Sequence, residues 1–400
     1  MSAMDEDPSD RDEQVSGIAD DLRRYFSNDN RFLYIGQVAA GSFGSAHRIQ
    51  YRENDTSAMT NYLVKVAHKE WEAEIDMATE RRFLKACEFR GAMHIVQMID
   101  IPENPLTVND FTGEWVILEW LPNGTIFHFV EKAREMGVTR LPNRLLWRFF
   151  LCMIRGVCGI AWPRGRSDNI QELEVPIPYV SPRKISHADL HSANVLLGDF
   201  LIGAEHSITP IVKIIDFGKT FDDDEITVES DDEGPRGGPP ESPVPLTESD
   251  IPIDPDLLEK PEDKEYDAGL ESNLWDVARL MMILITMDTG INENLLKERK
   301  ETTIDYLGKG IVSYATTIHP PYVGGPKPYP WLDDWMATII GLCMAVKFRN
   351  LPGLRTLSQW LPYAVIHRDA DFYGTHEETD QTVRSLCEHI LFDAPFRPSK

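Results

Sequence analysis

The sequence predicts an α+β protein in two parts, a strand-rich segment followed by a longer helical one. Three observations predict it. Between Phe32 and Leu121, short apolar runs alternate with turn residues and flank one stretch of helical periodicity. After Pro122-Asn123-Gly124 the apolar residues move to the three-and-four spacing of helices. At 400 residues, 42% of them hydrophobic, the chain is long enough to bury a substantial core.

Residues 1–30 read as an acidic N-terminal tail, expected to be disordered apart from a short helix in GIADDLRRYF. From Phe32, FLYIGQVAAGSFGSAHRIQY alternates apolar and small residues around a glycine turn, a strand pattern. NYLVKVAH (61–68) is a second strand candidate, apolar around the single Lys65. EWEAEIDMATERRFLKACEF has helical spacing and no breaker, and HIVQMIDI and EWVILEWL read as two further strands. Residues 31–121 therefore form a small sheet with one helix, and residues 122–400 a second, mainly helical part. There FHFVEKAREMG and RLLWRFFLCMIRGVCGIAW read as helices, PRGRSDNIQELEVPIPYVSPRK as a loop, and IVKIIDFG as a strand ending in glycine. The stretch 222–262, running on toward 265, is dense in Asp, Glu, Pro and Gly and almost free of aromatics. It cannot bury enough apolar area to offset chain ordering, so disorder is expected. The remainder reads as helical, with a Pro-rich interruption at HPPYVGGPKPYPW.

A net charge of −25 argues against binding nucleic acid or an anionic membrane. Five scattered cysteines, with Cys87, Cys152 and Cys343 in apolar surroundings and no C-x-x-C pair, give no sign of zinc or redox chemistry. The N-terminus lacks an apolar signal core, and the longest greasy run, ARLMMILITM, is about half the length a bilayer needs. The expectation is an intracellular protein of cytoplasm or nucleus, neither secreted nor transmembrane.

The stretch ISHADLHSANVLL (185–197) carries the chemistry. It gathers His187, Asp189, His191 and Asn194 ahead of a buried-looking Val-Leu-Leu. Asn194 and Asp216 offer the hard oxygens Mg²⁺ takes when substrate phosphates supply the rest, which leaves Asp189 to orient a hydroxyl and accept its proton. Upstream, VAAGSFGSA (38–46) supplies a glycine turn whose N–H groups can approach anionic oxygens. Lys65 in mid-strand calls for an anionic partner, and Glu80 on the following helix is available.

These motifs, in this order, resemble the eukaryotic protein-kinase-like superfamily in a divergent, fungal-type form, from about Phe32 to the C-terminal helices. The resemblance implies a two-lobed fold, a small antiparallel β-sheet lobe with one helix and a large, mainly helical lobe. VAAGSFGSA resembles the glycine-rich loop, implying nucleotide contacts from Val38, Gly41, Ser42, Phe43 and Gly44, with Ala39 at its first glycine position. LVKV and ERRFLKAC give the Lys65–Glu80 pair. VILEWL resembles the hinge, with Leu118 as gatekeeper and Glu119 and Leu121 offering backbone groups to adenine. HADLHSAN and IDFG imply Asp189 as catalytic base and Asn194 and Asp216 as metal ligands, with ATP and Mg²⁺ as cofactors. NLWDVARLMMILI resembles the buried central helix of the large lobe.

Departures from the pattern carry their own implications. Ala188 replaces the arginine that would engage a phosphorylated activation segment. His191 replaces a lysine, as in aminoglycoside phosphotransferases and choline-kinase-like enzymes, and stands either as a phosphate contact or as a loop-stabilising hydrogen bond. His187 reads as a structural histidine under the loop. Asn273 replaces an aspartate, implying a weaker anchor there, and Pro261-Glu262 with Arg349 stand for the end of the activation segment. The first functional expectation is an ATP- and Mg²⁺-dependent kinase acting on Ser or Thr of a protein substrate. Alternatives are a small-molecule phosphotransferase and a catalytically impaired scaffold. The acidic stretch is expected to be a solvated insertion, or else to compete for the cleft or recruit a basic partner.

Overall fold

Period-two alternation builds the sheet that carries the site. The computed structural model describes residues 8–41, 43–85, 89–165, 171–203, 205–223, 268–291 and 300–393. Helix α1 (Pro8–Ser27) precedes strands β1 (Phe32–Ala40), β2 (Gly44–Tyr51) and β3 (Thr60–Ala67). Helix α2 (Trp71–Lys85), the short α3 (Pro105–Val108) and β4 (Trp115–Glu119) follow. The four strands form one antiparallel sheet in the order β1-β2-β3-β4, with Lys65 opposite Ala46 on one side and Val116 on the other. Val64, Val66 and Ile117 fall in one apolar cluster with Phe32 and Ile49, whereas Ala67, Val116 and Leu118 fall in another with Met77 and Phe83 of α2. Alternation therefore turns Lys65 toward α2.

The helix expected in GIADDLRRYF is present but longer and docked, not set in a free tail: α1 spans 20 residues, and Ile18, Leu22 and Phe26 are buried against the open face of the sheet. Four-residue spacing places the three on one helical stripe. Burying each contributes about 1.5–3 kcal/mol, enough to dock a segment whose composition is otherwise acidic. A second departure is HIVQMIDI, which forms no strand. It makes single bridges, Met98 to Leu118 on the outer edge of the sheet and Ile95 to Ile214 below it.

The second part is helical, as its spacing predicts. Helices α4 (Ile126–Glu135) and α5 (Asn143–Ala161) are followed by two short ladders. In these, β5 (Ile185–Ser186) pairs with β8 (Phe221–Asp222), and β6 (Val195–Leu197) with β7 (Val212–Ile214). Then come α6 (Ala268–Thr286), β9 (Thr302–Tyr306), β10 (Lys309–Ser313), α7 (Asp334–Cys343), α8 (Leu354–His367), α9 (Ala370–Tyr373) and α10 (Asp380–Glu388). Every residue of α5 is buried, and the apolar run of α6 packs in the same core, not in lipid. No helix among the described residues is long and apolar enough to cross a membrane.

The hairpin β9–β10 stands where only helix is expected. Leu307 and Gly308 have φ of 53° and 74°, the paired left-handed conformation of a two-residue hairpin turn, and the alternation in TTIDY and KGIVS is then a strand signal. Residues 224–267 lie outside the described residues, and with them most of the acidic stretch and Pro261-Glu262, as do Ser42 and Cys87. The first residue of that stretch is not solvated: Asp222 is 2% exposed in β8 and pairs with Arg183. Arg349 is exposed on a 3₁₀ turn.

Candidate active site

On α2, Ala73, Met77, Glu80 and Leu84 share the buried stripe, so Glu80 is a carboxylate set among apolar side chains. Its Oε2 lies 2.6 Å from Lys65 Nζ, and the same ammonium lies 2.8 Å from Asp216 Oδ1. Burial alone pulls the Lys65 pKa down. The Glu80 and Asp216 carboxylates outweigh it and hold the ammonium charged, above its ordinary range. Asp216 follows β7 with φ of 66°, a left-handed conformation in a residue with a Cβ. The chain bends there, and the carboxylate reaches Lys65 instead of continuing the ladder.

The loop 187–194 is built beneath this trio. His187 is fully buried, its ring 4.9 Å from that of Phe217, and its Nε2 donates to the Ile215 carbonyl at 3.0 Å. Ala188 has φ of 60°, so the chain reverses between His187 and Asp189. His187 thus faces inward while Asp189 is half-buried at the loop surface. Asn194 donates from Nδ2 to the Asp189 carbonyl at 2.9 Å and to Asp189 Oδ2 at 3.0 Å. His191 Nε2 sits 3.5 Å from Asp189 Oδ1, and its Nδ1 accepts from the Ala193 N–H at 3.2 Å. Burial raises the Asp189 pKa, but His191 and Asn194 more than reverse this, leaving the carboxylate below its ordinary range. The Asp189 hydrogen bond in turn raises His191.

Asn273, expected to be the weak anchor, is well placed. Its Oδ1 accepts from the His187 N–H at 2.9 Å and its Nδ2 donates to the Ile185 carbonyl at 2.8 Å. An amide satisfies one donor and one acceptor here, which a carboxylate cannot do.

The remaining expected residues are brought to the sheet edge above. Gly41 and Gly44 close the β1–β2 turn, the Gly41 N–H donating to the Gly44 carbonyl at 2.9 Å. A Cβ on Gly44 would lie 2.5 Å from the Val66 carbonyl oxygen, so β3 itself demands glycine there. Val38 and Phe43 are exposed, and Lys219 Nζ lies 4.5 Å over the Phe43 ring while bridging to Asp76 at 2.6 Å. Leu118 is buried at the end of β4. Of the backbone groups of Glu119, the N–H donates to the Gln97 carbonyl at 2.9 Å. Leu121 is half-buried just beyond.

Two groups escaped the sequence reading. Lys213, 3% exposed on β7, donates to Glu119 Oε1 at 2.6 Å and ties the sheet edge to the strand that leads into Asp216. Lysine in an apolar run without a partner was the available signal, as it was for Lys65. Asp276 on α6 pairs with Arg279 at 2.9 Å, and burial together with the nearby Asp189 charge pushes its carboxyl up to about 6.

No protein-family model and no curated protein matches this chain. Its functional reading rests on its own geometry. The Ile215 N–H donates to the Asn194 carbonyl at 3.0 Å, which sets Asn194 beside the residue preceding Asp216. With Nδ2 given to Asp189, Asn194 keeps Oδ1 as a donor atom. With Oδ1 given to Lys65, Asp216 keeps Oδ2. Both are hard oxygens of the type a divalent cation takes.

Proposed function

We propose that this chain is an ATP- and Mg²⁺-dependent phosphotransferase of protein-kinase-like fold, with Ser or Thr of a protein as acceptor. One observation carries the reading. Lys65, Glu80 and Asp216 make a continuous ion-paired trio, and the hydrogen bond from Ile215 to Asn194 joins it to the Asp189 loop. Bound MgATP would supply the phosphoryl group to be transferred. Asn194 and Asp216 would hold the cation through their remaining oxygens, and Lys65, fixed by Glu80, would face the phosphates. Asp189 is ionised at neutral pH and half-exposed, suited to orient an acceptor hydroxyl and take its proton. Asn273 and His187 hold that loop in register with Ile215. Positioning and electrostatic stabilisation would supply most of the acceleration.

A second reading, a small-molecule phosphotransferase, is favoured by His191 beside Asp189, where protein kinases carry lysine. Labelled ATP offered with a protein pool and, separately, a pool of hydroxylated metabolites distinguishes the two. Transfer to protein that Asp189→Asn and Asp216→Ala each abolish is the expected result. Transfer retained in both variants would refute the assignment. An absence of thermal stabilisation at saturating ATP and Mg²⁺ would instead favour an inactive scaffold.

A further inference from the structure

Beneath β7, far from the acceptor loop in function, three buried residues from distant parts of the chain converge. One ring nitrogen of His94, the sulfur of Cys152 and one ring nitrogen of His206 all lie within 4.8 Å of one another. His94 Nε2 and His206 Nε2 are 3.2 Å apart. Two nitrogens on a tetrahedral zinc ion at about 2.05 Å each would be separated by roughly 3.3 Å, so this spacing already suits a shared cation. We propose that His94, Cys152 and His206 form a buried zinc-binding site.

The surroundings are those of a built site. His94 Nδ1 is 2.6 Å from Glu174 Oε2, and the other carboxylate oxygen takes the His94 backbone N–H at 2.6 Å. A carboxylate on the far nitrogen of a histidine fixes its tautomer and directs the near nitrogen to a metal. Arg155, one turn of α5 beyond Cys152, bonds both the Glu174 carbonyl and the Glu205 carboxylate. It thereby holds the two segments that bring Glu174 and His206 to the site. A Cβ on Gly156 would lie 3.2 Å from the His94 carbonyl oxygen and 2.6 Å from Ile214 Cδ1, so glycine lets α5 approach His94 closely. Two nitrogens and a thiolate are a borderline-soft donor set of the kind zinc takes. The ion would pin α5, the segment before β4 and the loop before β7 together. The His94 carbonyl accepts the Ile214 N–H at 2.9 Å, so the staple would sit directly behind the strand that delivers Asp216.

Without an ion the same groups close as a hydrogen-bonded chain, Cys152 to His206 to His94 to Glu174, and the experiment must separate these. The full chain, purified without a metal-affinity tag or chelator, is assayed for metal by mass spectrometry and for zinc coordination by X-ray absorption. The expected result is one zinc per chain with a shell of one sulfur and two imidazole nitrogens. After exchange to cobalt, a thiolate-to-cobalt absorption band should be present in the unaltered protein and lost in both Cys152→Ser and His206→Gln. Zinc well below one equivalent, both as purified and after added zinc, overturns the site and leaves the hydrogen-bonded chain. So does a zinc shell without sulfur, which is read on the unaltered protein and needs no variant to fold.

Discussion

Lys65 Nζ lies 2.8 Å from Asp216 Oδ1 although 151 positions separate the two residues in the chain. The same ammonium holds Glu80, so one cation is shared between a fully buried carboxylate and a partly exposed one. Such a trio is costly to break at one member and cheaper to replace entire, because a lone buried charge has no compensation.

Lys65→Met should therefore cost about 3–5 kcal/mol of stability and abolish transfer. Adding Glu80→Leu to it should recover most of the stability but none of the activity. Urea unfolding and labelled-ATP assays on the single and double variants read both quantities. A double variant no more stable than the single one would contradict the view that Glu80 is held in place by Lys65.

Asn273→Ala leaves the His187 N–H and the Ile185 carbonyl unpaired in the interior, since both bond only through that amide in the contacts described. Each orphaned group costs about 1–3 kcal/mol. A loss of roughly 2–5 kcal/mol is expected, with transfer reduced because the Asp189 loop loses its support. Asn273→Asp should not restore wild-type stability, as a carboxylate would face the Ile185 carbonyl without a proton to give it. Equal melting temperatures for Asn273→Asp and the parent would count against this anchor.

Helix α1 should behave as part of the core. Phe26 is fully buried, and Phe26→Ala is expected to cost about 3–5 kcal/mol. Hydrogen exchange should show residues 18–26 protected together with β1 and β2. Rapid exchange throughout that helix would return it to the status of a tail.

His47 gives a pH signature. It is fully buried between Tyr34 Oη at 3.0 Å and Ser45 Oγ at 2.8 Å, and burial lowers its pKa from 6.5 to about 4. The stability gained from its neutral form is complete above pH 6.5 and is lost as the pH falls through about 4. Between pH 7 and pH 4.5 this residue should remove about 2–3 kcal/mol of stability, a loss absent from His47→Gln. Unfolding curves of the two proteins at both pH values test it, and parallel pH dependences would show that His47 titrates in the folded protein as it does in the unfolded chain.

Much of the candidate site was legible because its residue types are anomalous where they stand. A lysine in the middle of NYLVKVAH, and a carboxylate and an amide packed into ISHADLHSANVLL, are each costly unless partnered, and each finds its partner in the fold. Period-two alternation likewise foretold the sheet. The reading failed where a signal was weak over short range. The acidic composition of residues 1–30 concealed the full length and docking of α1, and HIVQMIDI looked like a strand although its pairing is limited to single bridges. Cys152 looked like a small hydrophobe in FFLCMIRG, because nothing near it in the chain announces His94 or His206.

Local pattern alone thus determined the β1–β2–β3 hairpins, the amphipathic stripe of α2, and the identity of the charged residues that needed partners. Tertiary structure decided which partners they received. Lys65 could choose Asp216, Lys213 could choose Glu119, and Cys152 could meet two imidazoles only after strands and helices had packed. Contacts across fifty to a hundred and fifty residues arise from burial and closure of the whole core, and no window of the sequence contains them.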